Sequence, residues 1–449
     1  VSSSYWSATL AHFETTSSHE AIRGSPAGAR ESSSRYEAVF LVIIALCTYL
    51  HIPLSAGGRL LVPSFPTVAL APLLFLAVRR SVTTADVVFL LKIGFLLLLS
   101  IALSPGYVYV TEKFFALIQF SFALTVAVMI VRLMLQIRGK LLERTLLVLW
   151  CLILVGAVLE VMGVTRDASD AFREMAYGGT YTLYDADLRD MDLVGWLRPK
   201  LFSTEPSHVT KIFIAATNAW LLVRVSWAKI AVVTAATLAM LLIMGSPMLI
   251  ISAAITLAIV VWDSQTNLRT RVTMLIAALL IGGLFAAFYG ESTISNVVSR
   301  VENVTEASSD PNRGPSSEER RMIYPYVTLV DTLVHSPLFG TGVGGKEVIV
   351  EFTTLKVARA QTALGNNSLA EIGIFLGVGG GAAFIYLVLM HAGQTGVRRV
   401  GLMVIVVALF SQLMGGIDSF RYWGFIALLW GALAVADRQA EEGSPDQNS

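Results

Sequence analysis

Apolar positions in this chain neither alternate nor fall on a single helical face. They run almost unbroken for the width of a bilayer, many times over. A run of about 17–25 mostly apolar residues is long enough for a helix to cross the hydrocarbon core. About twelve such runs occur, at 36–52, 58–78, 84–103, 111–135, 145–164, 207–225, 228–244, 247–262, 271–289, 367–390, 399–415 and 420–436. Only Gly245-Ser246-Pro247 leaves the count open, between two short spans and one broken helix. Proline lacks a backbone donor there and glycine relaxes the chain. The connections are short except for 165–206 and 290–366. The pattern predicts an all-α polytopic membrane protein of about twelve transmembrane helices with two long loops. Its membrane domain covers 36–437, between polar tails at 1–35 and 438–449. Residues 1–35 lack the apolar core of a cleaved signal and read as a disordered cytoplasmic tail.

Composition agrees with this. Hydrophobic residues make up 55% of the chain and charged ones 14%, against roughly 25% charged in soluble domains. A net charge of +1 creates no field for nucleic acid. Cys47 and Cys151 both sit in apolar runs, which fits buried thiols better than a disulfide framework or a metal site. The short loops carry Arg79-Arg80, Arg138/Lys140/Arg144, Arg224/Lys229, Arg269/Arg271 and Arg398-Arg399, with Arg438 after the last run. All fall on one side if the N-terminus is inside. The positive-inside rule then puts both termini in the cytoplasm and both long loops outside.

The first long loop is acidic, with Asp167, Asp170, Glu174, Asp185, Asp187, Asp190 and Asp192, and then basic and aromatic, with Trp196, Arg198, Lys200 and Phe202. Ser203-Thr204-Glu205-Pro206-Ser207-His208 stands at the mouth of the next span. Pro206 suits a first helical turn. Glu205 is either a helix cap or a carboxylate at membrane depth, partly desolvated, with a raised pKa suited to general-base work. His208, one turn further in, is placed to share a proton with it or to pack as a polar residue. Lys211 lies on the following turn.

The second loop holds the largest polar stretch, 319–377. Apolar spacing at Ile323, Val327, Val330 and Val334 predicts an amphipathic helix over about 319–335, opened by Arg320 and Arg321. An arginine at that position either grips phosphate or pairs with Glu318 or Glu319. Gly340-Thr341-Gly342-Val343-Gly344-Gly345-Lys346 imitates two nucleotide-binding patterns. However, Glu347 stands where magnesium needs Ser or Thr, and no buried strand precedes it, so a tight turn is the reading. Asn366-Asn367-Ser368 caps the next span, with Glu371 one turn inside and glycines at 373, 377, 379, 380 and 381 that permit close helix approach. Lys92 and Glu160 are the main charges inside apolar runs.

Three of these patterns, in this order, resemble the O-antigen and exopolysaccharide polymerase (Wzy) family, within the superfamily that includes O-antigen ligases. They are Leu201-Phe202-Ser203-Thr204-Glu205-Pro206-Ser207-His208, Ser336-Pro337-Leu338-Phe339-Gly340-Thr341-Gly342 behind a helix that opens with Arg320 or Arg321, and Asn367-Ser368-Leu369-Ala370-Glu371-Ile372-Gly373 with Gly377. Asn366 departs from the pattern, because the ligases and many relatives carry His there. A base at that position does not carry over, and the role moves to Glu205, with His208 or His335 in reserve.

The resemblance implies a GT-C-like fold in the bacterial inner membrane. It implies transfer of a growing glycan from undecaprenyl diphosphate to a hydroxyl of an acceptor repeat unit, alongside a flippase and a chain-length regulator. The leaving diphosphate needs fixed positive charge, for which Arg198, Lys200, Arg320, Arg321 and Arg421 are the candidates, Arg321 first. Trp196, Tyr324 and Tyr326 would stack on sugars, and Asn366 and Asn367 would meet hydroxyls. No metal or cofactor is expected, since arginines can take a metal's place. The alternatives are an O-antigen ligase acting on lipid A core, and a flippase or secondary transporter for lipid-linked glycan.

Overall fold

The computed structural model describes residues 27–56, 59–178, 183, 187–246, 248–262, 323–353, 364, 367–412 and 414–442. These residues are overwhelmingly helical. The helices are α1 (Ala27–Leu50), α2 (Phe65–Val78), α3 (Thr84–Leu103), α4 (Val110–Gln136), α5 (Gly139–Val161), α6 (Arg166–Tyr177), α7 (Asp187–Val194) and α8 (Pro206–Val223). They continue as α9 (Trp227–Met244), α10 (Met248–Trp262), α11 (Tyr324–His335), α12 (Lys346–Phe352), α13 (Ser368–Gln394), α14 (Val400–Ser411) and α15 (Phe420–Glu442). Five of the described helices are long and apolar enough to cross a membrane: α3, α4 with the turn before it, α5, α9 and α13. The chain is therefore a helical membrane protein. Each predicted run that falls on described residues is wholly or partly helical; 271–289 lies outside the described residues.

Several expectations need correction. The run at 58–78 is not one helix. Its first part is strand β2 (Arg59–Val62), paired antiparallel with β1 (Leu54–Ala56), and helix begins only at Phe65. Pro66 stands in the first turn, where its missing N–H costs nothing, and Pro63 precedes it, so the two prolines mark the helix start. The resulting α2 has 14 residues, about 21 Å of helix against a hydrocarbon core of about 30 Å. At 245–247 the chain resolves into two helices, with Gly245 left-handed (φ +53°) after α9. The first long loop carries α6 and α7. The amphipathic helix expected at 319–335 is described only from Tyr324. Cys47 and Cys151 are half-buried free thiols.

The bundle is built around α15 and α8. Residues 420–437 of α15 are all buried, and α15 packs on α4, α8 and α1. A helix apolar all round belongs in the middle of a bundle. On α8, Asn218 Nδ2 donates to Ile214 O and meets Ser252 Oγ, and its Oδ1 accepts from Thr256 of α10. This polar tie joins helices that hydrophobicity alone would not hold together in lipid.

The polar contacts sort to two ends. One end gathers the basic loops. There Asp86 takes Arg132 at 2.8 Å and His391 at 3.1 Å, Lys229 meets Glu143 at 2.9 Å, and Arg399 meets Asp437 at 2.6 Å. The other end holds the described parts of both long loops. The described residues that flank 263–322 lie at opposite ends. Trp262 abuts Gly401, near the start of α14, while Tyr326 bonds Gln412, just past its finish.

α13 is broken at Gly377 (φ +65°, ψ −171°). The run of glycines permits close helix approach, and the structure gives one of them a backbone role as well. Loop 336–342 fills the break. Val378 N–H donates to Pro337 O and Gly380 N–H to Leu338 O, while Ile374 O accepts from Thr341 N–H and Phe375 O from Gly342 N–H. Ser100 Oγ adds a donor to Phe375 O. The predicted tight turn takes this shape because Gly340, Gly342 and Gly344 all have positive φ. A Cβ on Gly377 would stand 2.5 Å from Leu338 C and 2.6 Å from Phe339 N. Gly377→Ala is expected to lower stability by about 2–3 kcal/mol, read as a lowered unfolding midpoint in detergent. Gly393→Ala, where a Cβ meets nothing within 4 Å, should leave the midpoint unmoved.

Candidate functional site

The end that holds the long loops contains a strained turn. Leu201 (φ +43°) and Phe202 (φ +62°) are consecutive non-glycine residues in the left-handed region. That conformation costs about 1–3 kcal/mol each and persists only where the surroundings impose it. The surroundings here are specific. Glu160, buried at the end of α5, accepts from Lys200 N–H at 3.0 Å and Leu201 N–H at 2.7 Å. Ser169 Oγ accepts from Phe202 N–H. Tyr49 Oη reaches Lys200 O and Leu201 O at 3.2 and 3.0 Å. Arg173, on α6, donates to Ser203 O at 2.8 Å and Thr204 O at 3.4 Å. Arg166 links Glu160 to Arg198 O.

What the turn presents is the start of α8. Glu205 occupies the cap position, but its side chain makes no capping bond. It accepts from Ser207 Oγ at 2.9 Å and is exposed. The expectation of a desolvated carboxylate is therefore corrected: the backbone twist turns Glu205 outward rather than into the bundle. His208 Nδ1 meets Thr204 Oγ1 at 3.2 Å. Pro206 takes the first helical turn as expected.

The expected cations are held by partners within the chain. Arg198 meets Asp190 at 2.7 Å. Lys200 is buried, with Nζ 3.4 Å from Asp187 and 3.6 Å from Asp170. Arg421 is buried and donates to Tyr49 O at 3.0 Å and Leu50 O at 3.4 Å. Through Tyr49 it joins the last helix to the strained turn.

A second cluster forms where α11, α12 and α13 begin. Asn367 caps α13, accepting from Ala370 N–H, and donates to Gln412 Oε1 at 2.8 Å. Tyr326 Oη donates to the same Gln412 oxygen at 2.7 Å. Glu371, fully buried, accepts from Gly416 N–H and Ile417 N–H at 2.9 and 2.8 Å. Ser368 N–H donates to Met414 O. The connection 412–419 is thus stitched to α13 and continues directly into Arg421, so one short segment bridges the two clusters. Lys346 is exposed at the start of α12, and the carboxylates of Asp418 and Glu371 push its pKa up. It is a fixed positive charge near this bridge.

Tyr324 is buried, which removes its ring from the sugar-stacking role expected of it. Trp196 is half-exposed and donates Nε1–H to Ile243 O at 2.9 Å. His335 sits exposed at the far end of α11, with Nδ1 at Asp331 O. Arg320, Arg321 and Asn366 lie outside the described residues. Sequence reasoning missed Tyr49, Arg173, Gln412 and Lys346. Of these only Lys346 carried a signal, as the lysine that ends the glycine-rich turn.

A scan against protein-family models and a search of curated proteins find no match for this chain. Loss of the stitching bonds should be measurable. Glu371→Leu leaves a buried and a part-buried N–H donor unpaired and is expected to cost about 2–4 kcal/mol; Tyr49→Phe removes one bonding hydroxyl and should cost about 1 kcal/mol. Thermal unfolding of detergent-purified protein checks both, with Glu371→Leu the lower.

Proposed function

We propose that this protein is a membrane glycosyltransferase. In this reading it polymerises undecaprenyl-diphosphate-linked oligosaccharide repeat units at the outer face of the bacterial inner membrane. Twelve spans, cytoplasmic termini and outer long loops belong to the same reading. The positive-inside rule supports it, as does the gathering of basic loops at the end opposite the clusters.

The observation that carries the reading is the strained Leu201–Phe202 turn, which holds an exposed glutamate at the mouth of a buried helix. A chain does not maintain two left-handed residues with this many bonds merely to connect two elements. Glu205 would take the proton of the acceptor hydroxyl as that oxygen attacks the anomeric carbon. The carbon–oxygen bond to diphosphate breaks, and undecaprenyl diphosphate leaves with the electron pair. Developing charge on the leaving group needs preplaced cations. Arg320 and Arg321 take this part, and Lys346 is a third cation for it. Arg198, Lys200 and Arg421 first fix the turn through their own partners. Tyr326, Asn367 and Gln412 offer hydroxyl and amide groups to sugar. The chemistry needs no metal, because the arginines and Lys346 supply the charge.

One observation favours transport as a second reading. A helix broken at Gly377 is the kind of element that transporters use for binding. Here loop 336–342 bonds the freed backbone groups of the break, which leaves fewer of them for cargo.

Cells that lack the protein should lose the polysaccharide ladder and show a single repeat. Wild type should restore it. Glu205→Gln and Arg321→Ala, expressed at equal level, should fall by about 10²-fold or more in polymer formed. A ladder that persists in the null strain, with no second polymerase, would refute the proposal and favour transport. Chelators should leave activity of purified protein intact; loss with rescue by a divalent ion would overturn the metal-free part.

A further inference from the structure

Lys92 has no part in the site above. It sits in α3, six residues past Asp86, so about 9 Å further along the helix axis from the basic end. Its side chain is exposed on a face whose neighbours are Leu91 and Phe95, each 68% exposed. That face of a membrane helix meets lipid. A lone ammonium there is costly unless something supplies a negative charge. Asp86 does not, because Arg132 and His391 already share it. Among the described residues no acid is paired with Lys92.

Lys92 also borders two adjoining cavities between α3 and α13. The larger is an open groove of about 440 Å³ lined by Val88, Leu91, Phe95, Leu96, Leu99 and Leu387. The smaller shares Val88, Lys92 and Leu387 with it and adds Ala85, Phe89, Met390, His391 and Gln394. Polarity is therefore graded. Toward the middle of α3 the lining is wholly apolar. Toward the basic end the ammonium of Lys92 and the amide of Gln394 join a lining that Ala85, Phe89 and Met390 keep largely apolar, close to the loop that carries exposed Arg79 and Arg80. An acyl chain with a negative head matches that gradient in one orientation only.

We propose that the α3–α13 groove is a binding site for an anionic phospholipid of the leaflet at the basic end. The acyl chain lies along Leu91, Phe95 and Leu99, and the phosphate meets Lys92. The long lysine stem reaches toward the headgroup level while its methylenes stay in the apolar groove. This site is separate from the two clusters at the other end and does not depend on the glycosyltransferase reading.

Native mass spectrometry of delipidated protein in mild detergent tests it. The probes are phosphatidylglycerol, phosphatidylcholine and inorganic phosphate. Wild type should hold one phosphatidylglycerol about fivefold or more tighter than phosphatidylcholine. Lys92→Met should erase that preference, while Lys92→Arg keeps it. Met is apolar and faces lipid, so Lys92→Met should fold as well as wild type, and an unchanged unfolding midpoint checks this. Leu387→Trp, which fills the groove, should weaken both lipids. Equal binding of the two lipids by wild type, or an undiminished preference in Lys92→Met, would overturn the proposal. So would competition by millimolar inorganic phosphate, which would assign the site to a free anion.

Discussion

Inside a bilayer a backbone N–H or C=O that leaves the helix must find a partner within the protein, because no water is there to take it. The same need, wherever water is excluded, shapes two irregular stretches among the described residues. At Gly377 the bond that would join Ile374 O to Val378 N–H is exchanged for two bonds to loop 336–342. At Lys200–Thr204 the turn is bonded by Glu160, Ser169, Tyr49 and Arg173, from three different helices. In both places the sequence spends buried polar groups on holding backbone, which makes these segments stiff rather than loose.

Stiffness matters because the two stretches flank the same connection. Residues 412–419 bond α13 through Glu371, Asn367 and Ser368, and Arg421 follows at once and bonds the end of α1. These bonds run without a gap from α13 to Tyr49, and through Tyr49 to the turn that displays Glu205. The turn at 200–204 and the start of α13, more than a hundred residues apart, share one short strut. A site of the kind proposed, aligning a donor, an acceptor hydroxyl and a leaving diphosphate, would benefit from such a strut, since catalysis by positioning is lost with small displacements.

Long helices were legible because length and hydropathy are local properties, and α3, α4, α5, α9 and α13 stand out by them. The glycine-rich turn was legible as a turn because Glu347 stands where a P-loop requires Ser or Thr. The β-hairpin before Phe65 was hidden inside an apolar run, whose hydropathy does not distinguish strand from helix. The break at Gly377 was hidden among five nearby glycines, and which one leaves the helix depends on where Leu338 and Phe339 pack. Glu160 and Glu371 drew notice as charges near span ends, but not as backbone clamps, because their partners lie 40 or more residues away. Glu205 was found by motif, while its exposure follows from the left-handed residues before it, which no local pattern announces.

The most direct measurement of the central claim uses the purified protein alone in liposomes, given a defined repeat unit on undecaprenyl diphosphate. The account expects glycans of increasing length on the lipid and one released undecaprenyl diphosphate for each bond formed. Bound substrate that stays at one repeat, with no undecaprenyl diphosphate released, would contradict it.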